Sequence, residues 1–349
     1  MKVDKRDFQW ATQQGLITAE QARNLWKALE ARSVESSVNL PQVAYYFGAM
    51  VVIAAMGWLM GNAWEAFHGG GIFLLAVLYA VLFAIAGQNL WSQENLQVPG
   101  GLLVTMAVCM APLAIYGLEM SLGVWPQGDP GHYSGFHFWV KGSWFFMEVG
   151  TILAGLIALK FIPFAFLSAP IAFTLWYMSM DLTPLLYGKD DFSYQERLWV
   201  SLLFGLVMLG VSYLMDRRTK EDYAYWGYLF GMFAFWGGMS LMESTSEFSK
   251  FLYCLINLGL ILLSVFLERR VFVVFGAVGV NIYLGHLAYS IFKDSALFPL
   301  VLTFFGVAII YCGVQYQRNR DRIETFLLDL FPADLRDLRP VNRVPAGGM

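Results

Sequence analysis

Glu148 and His286 are the side chains in this sequence best suited to chemistry, because each is an ionisable group set inside a long apolar run. Ionisable groups in such runs are costly and mark functional sites by default. Asn281 lies deeper in the run that holds His286, Asn257 lies deep in the run before it, and Glu119 and Glu243 lie at run ends. Together, Glu148, His286, Asn281, Asn257 and Glu243 make a candidate polar vestibule that would pass protons or bind a cation. A plainer reading stands beside it. Asn257 and Asn281 can bridge helices by hydrogen bonds. Glu148 can be a satisfied carboxylate at the lipid boundary, and His286 a hydrogen-bonded packing residue.

A second candidate is a metal site. Asp129, His132 and His137 fall close together in a Gly- and Pro-rich stretch, and methionines such as Met120, Met147 and Met239 recur at run ends. Carboxylate, imidazole and thioether can hold copper or another transition metal. Methionine is also a common apolar filler, and no tight ligand spacing is present. The three cysteines, Cys109, Cys254 and Cys312, are separate and make no CxxC pair, so zinc and dithiol redox chemistry have no motif. GxSxG, GxxxxGK[ST] and HExxH are absent, so no reaction is named and the balance leans away from an enzyme. No cofactor is expected.

The elements that must position these residues are set by composition. The chain is 58% hydrophobic and 14% charged, with mean hydropathy +0.54. Soluble domains carry about a quarter charged residues. A helix crosses the bilayer in about 20 residues, and in lipid the backbone must bond to itself. These rules predict an all-α polytopic transmembrane bundle of about ten spans: 42–63, 71–91, 100–120, 143–162, 163–180, 198–216, 223–242, 250–268, 271–292 and 296–317. A tight turn at Lys160–Pro163 joins the fourth and fifth. Pro112, Pro170 and Pro299 are the candidate helix breaks. Gly69–Gly71 reads as a turn at the lipid boundary. Gly57/Gly61 and Gly276/Gly279 read as close helix contacts.

Orientation follows from Lys and Arg. With ten spans, 18 fall on the side of the two termini, including Arg217, Arg218, Arg269 and Arg270, and five on the other side, Lys141, Lys189, Arg197, Lys250 and Lys293. The positive-inside bias puts both termini in the cytoplasm. No cleavable signal peptide is read, so the first span is expected to direct insertion.

Three regions follow: a cytoplasmic helical hairpin over 1–40, the bundle over 41–317, and an amphipathic tail over 318–349. In the hairpin, Gly15 is placed to end one helix, and Thr18 with Gln21 has capping-box spacing to start the next. Ala22, Leu25, Trp26 and Leu29 share a face, which would dock on the bundle or on a cytoplasmic protein partner. Its mixed charges exclude a nucleic-acid footprint. In the tail, Ile323, Phe326, Leu327 and Leu330 share a face that suits the membrane surface, so lipid is the expected partner. Oligomeric state is not legible.

Two stretches carry a resemblance. Trp10, Gly15-Leu16-Ile17-Thr18, Glu20-Gln21-Ala22 and Leu25 form one. Tyr283-Leu284-Gly285-His286-Leu287-Ala288 with Phe292-Lys293-Asp294-Ser295 and Phe298-Pro299 form the other. They resemble an uncharacterised family of bacterial multi-spanning inner-membrane proteins with an N-terminal helical hairpin. The resemblance implies a bacterial inner-membrane location and no activity. Two functions from different classes remain: transport or permeation of an ion or small solute, and a non-transporting sensor, scaffold or assembly factor working through the hairpin.

Overall fold

The computed structural model describes most of residues 68–125, 143–187, 193–219, 221–243, 246–292 and 298–319, and parts of 8–25 and 43–58. Contacts divide the chain into two compact units, Met1–Asn62 and Ala63–Met349.

In the first unit the local signals act as expected. Gly15 takes φ +69°, a left-handed conformation that costs an L side chain about 1–2 kcal/mol. The Leu16 N–H donates to Ala11 O at 3.0 Å and the Gly15 N–H to Thr12 O at 3.1 Å, the paired bonds that close a helix C-terminus. The next helix opens on a reciprocal cap: Gln21 N–H donates to Thr18 Oγ1 at 3.2 Å, and Thr18 N–H to Gln21 Oε1 at 2.9 Å. Trp26 and Leu29 of the expected docking face lie outside the described residues.

In the second unit the described elements are helices: α1 (His68–Trp91), α2 (Gln97–Cys109), α3 (Ala111–Ser121), α4 (Ser143–Phe161), α5 (Ser168–Tyr187), α6 (Tyr194–Arg218), α7 (Ala224–Leu241), α8 (Glu247–Leu267), α9 (Arg270–Phe292) and α10 (Phe298–Arg318). Six helices among the described residues are long and apolar enough to cross a membrane: Gly69–Trp91, Gln97–Ser121, Trp144–Phe161, Tyr194–Arg218, Glu247–Leu267 and Arg270–Ser290. Their apolar faces point outward. Leu74, Leu78, Leu82 and Ile85 of α1 and Phe251, Leu255, Leu258 and Leu262 of α8 are all exposed. Apolar patches this long are foreign to a water-facing surface. The chain is a polytopic membrane protein.

Gln97–Ser121 is one span with a break in it. Pro112 has no N–H to give Val108, four residues back. Met110 instead donates to Ala107 O at 3.2 Å in a tighter turn, and α3 restarts at Ala111. Pro170 breaks nothing, because it sits in the first turn of α5, where its missing donor costs little. Pro299 likewise opens α10.

Glycine sets the closest approaches. A Cβ on Gly69 would run into Met120 and the Ser121 backbone, so Gly69–Gly71 is the start of α1 seated on α3 and not the expected turn. Gly87 and Gly100 do the same between α1 and α2. Gly205 of α6 abuts the Phe235 backbone of α7, and Gly276 and Gly279 of α9 abut Asn257 of α8. Aromatic rings join the pieces. Phe173 and Trp176 of α5 meet Phe230 of α7 at 5.6 and 5.8 Å, and Phe233 of α7 meets Phe275 of α9 at 5.2 Å. Tyr228, Met232, Phe235, Leu260, Phe266 and Phe272 form the core of the α6–α9 half.

Candidate functional site

Two buried carboxylates lie near the same end of the neighbouring helices α3 and α4. Ile115 of α3 packs where Gly150 of α4 lacks a side chain, and Val108 lies beside Gly155, so the helices run antiparallel. From the Ile115–Gly150 level, Glu119 lies about 6 Å along α3 and Glu148 about 3 Å back along α4. Both steps lead to the same end of the bundle. Glu119 is 6% exposed and Glu148 4%. Neither carboxylate oxygen of Glu119 finds a hydrogen-bond partner among the described residues. Thr151, one turn further along α4, gives its hydroxyl to Met147 O at 2.6 Å. Burying a polar group without a partner costs free energy, and a charged one costs more.

α3 ends in a turn that bonds back to the Glu119 carbonyl. Val124 N–H donates to Glu119 O at 3.0 Å and Gly123 N–H to Met120 O at 3.3 Å. Gly123 takes φ +68°, the left-handed residue this helix ending needs. The turn lays Trp125 edge-on against Tyr116, ring centroids 4.7 Å apart. Tyr116 lies three residues before Glu119, on the same face of α3.

The other expected vestibule residues fall elsewhere. Asn257 is fully buried. Its Oδ1 accepts from Trp236 Nε1 at 2.9 Å and its Nδ2 donates to Tyr253 O at 2.8 Å. With Gly276 and Gly279 pressed on it, Asn257 fastens α7, α8 and α9. Asn281 is exposed and donates to Ala277 O of its own helix at 2.8 Å. His286 Nε2 lies 3.6 Å from Glu247 Oε2, and Lys250 reaches Glu247 at 2.7 Å. Glu243 lies past the end of α7, exposed. Glu148 sits on α4, which packs on α2, α3 and α5, whereas His286 sits on α9, which packs on α7, α8 and α10. Asp129, His132 and His137 lie outside the described residues. Among the described residues no three His, Cys, Asp or Glu side chains gather as a metal site would require.

The strongest polar cluster was not expected from the sequence. Arg269, between α8 and α9, is buried and ion-paired to two carboxylates. Its Nη2 donates to Asp216 Oδ1 at 2.7 Å, its Nε to Asp216 Oδ2 at 3.3 Å and its Nη1 to Asp222 Oδ2 at 2.7 Å. Tyr228 O–H donates to Asp216 Oδ2 at 3.3 Å, and its ring lies 5.4 Å from the guanidinium carbon. Burial works against the Arg269 charge, but the hydrogen bonds it donates to Asp222 and Asp216 outweigh it and raise the affinity of Arg269 for its proton. Read from sequence, Arg269 is one more charge that orients the chain. A signal was present in Asp216, an acid closing an otherwise apolar span.

Comparison with known proteins finds no match to any family model, curated protein or solved structure.

Proposed function

We propose that this chain is a bacterial inner-membrane protein of ten spans with both termini in the cytoplasm, and that it transports or lets permeate a small cation, the proton being the simplest. The excess of Lys and Arg on the terminal side supports the orientation, and the two resemblance stretches support the location. One observation carries the function. Glu119 sits near the end of a span, buried, with no hydrogen-bond partner among the described residues, and Glu148 of the neighbouring α4 is buried near the same end of the bundle. A structural carboxylate is normally paired. One that takes up and releases a cation must be able to stand unpaired between those events. The break at Met110–Pro112 lies below it on the same span, where backbone carbonyls can line a path.

The full-length protein in liposomes holding a pH-sensitive dye tests this. An imposed proton gradient is expected to collapse faster than in protein-free vesicles. Glu119→Gln and Glu148→Gln are each expected to return the rate to that background. Wild-type vesicles that hold their gradient as well as empty ones, against protons and against sodium and potassium, would end the transport reading.

The scaffold reading keeps support from the first unit, where Leu16 and Leu25 are exposed at 67% and 47%. On that reading Leu25→Asp weakens co-purification of a cytoplasmic protein and leaves cation flux unchanged. An unaltered set of co-purified proteins would remove the reason for regarding that face as a docking surface.

A further inference from the structure

We infer that Trp125 is the cover that controls access of water and water-borne cations to the Glu119 carboxyl. The inference deepens the transport reading and rests on Glu119 as its cation-accepting group. The residues around the helix end set the problem. Leu122 and Val124 are exposed at 67% and 57%, so the chain reaches the protein surface within a turn of Glu119. The carboxyl itself is nonetheless sealed. Trp125 is half-buried and lies edge-on against Tyr116, on the face of α3 that carries Glu119. Its own N–H donates to Glu119 O at 3.3 Å. Trp125 is therefore held twice, its backbone by the bond to Glu119 O and its indole by contact with the Tyr116 ring.

The attachment is light enough to open. The backbone bonds are those of a helix end, which fray first. Among the described residues the ring of Trp125 meets the Tyr116 ring. Gly123, in its left-handed conformation, is the point about which the segment turns. If Trp125 swings away from Tyr116, the Glu119 carboxyl meets water and exchanges its cation. When Trp125 returns, the site is closed on that side.

Labelling of the full chain in nanodiscs with a water-soluble carbodiimide and an amine, read by mass spectrometry, tests the cover without requiring flux. Glu119 in the wild type is expected to label several-fold more slowly than the exposed Glu247. Trp125→Ala and Gly123→Ala are each expected to speed Glu119 labelling several-fold, while Trp199→Ala, at an exposed tryptophan elsewhere, leaves it unchanged. Trp125→Leu serves in place of Trp125→Ala should the latter lose its cooperative melting. Glu119 labelling at the Glu247 rate in the wild type, or at the wild-type rate in folded Trp125 variants, would overturn the cover. Faster labelling with no cation flux in any variant would keep the cover and remove the transport reading. Flux with unchanged labelling would do the reverse.

Discussion

Arg269→Ala is expected to lower the stability of the full chain by about 3–5 kcal/mol, because it leaves a buried carboxylate without its counter-charge. Asp216 bears most of this cost. Its side chain is 5% exposed, against 45% for Asp222, so water can replace Arg269 at Asp222 but not at Asp216. Denaturant titration in detergent, followed by the loss of tryptophan signal, measures the change. The triple variant Arg269→Met, Asp216→Asn, Asp222→Asn is expected to recover much of the loss. A buried ion cluster costs desolvation that an uncharged set avoids. A change below about 1 kcal/mol on Arg269→Ala would put the cluster in the class of surface ion pairs.

The second large effect is steric. Gly205→Val is expected to force α6 and α7 apart, at a cost of about 1–3 kcal/mol or more. A Cβ there overlaps the Phe235 backbone and comes within 2.8 Å of Gly231 O. Backbone cannot rotate aside as a side chain can. The displacement also strains the Ser201 hydroxyl bond to Ala234 O, now 3.1 Å. Gly210, five residues on along α6, is the control, since a Cβ there meets nothing within 4 Å. Gly210→Val is expected to leave both stability and α6–α7 disulfide cross-linking near wild type. Equal effects at the two positions would show that helix propensity, not contact, governs both.

That pair of glycines shows what the amino-acid order makes legible and what it hides. The helices themselves were readable, because apolar runs in lipid leave the backbone no alternative. The runs expected at 71–91, 198–216, 250–268 and 271–292 lie within a few residues of α1, α6, α8 and α9. The expected 163–180 span is displaced, since α5 starts at Ser168 and continues to Tyr187. Its hydrogen bonds do not stop where its apolar run does. Partners were not readable. Arg269 and Asp216 are 53 residues apart, and nothing local joins them. Gly205 and Gly210 look alike until α7 is placed on one of them. Asn257 gave the right chemistry, a helix-bridging amide, but Asn281 has the same type and a similar depth and spends its donor on its own turn. Glu119 stood at the end of an apolar run. Its burial, at 6% exposed, is visible only in the fold.

The glycine contacts carry a consequence for how the molecule is made. Each joins helices consecutive along the span order: α1 with the α2–α3 rod, α6 with α7, α8 with α9. Short connections bring such neighbours together at little entropic cost, so each pair can zip up soon after it leaves the ribosome. The Arg269 cluster and the Phe233–Phe275 ring contact connect the α6–α7 and α8–α9 pairs once these have closed. Biogenesis on this plan runs from steric fit to charge, and a defect at Gly205 would strand the nascent chain earlier than one at Arg269.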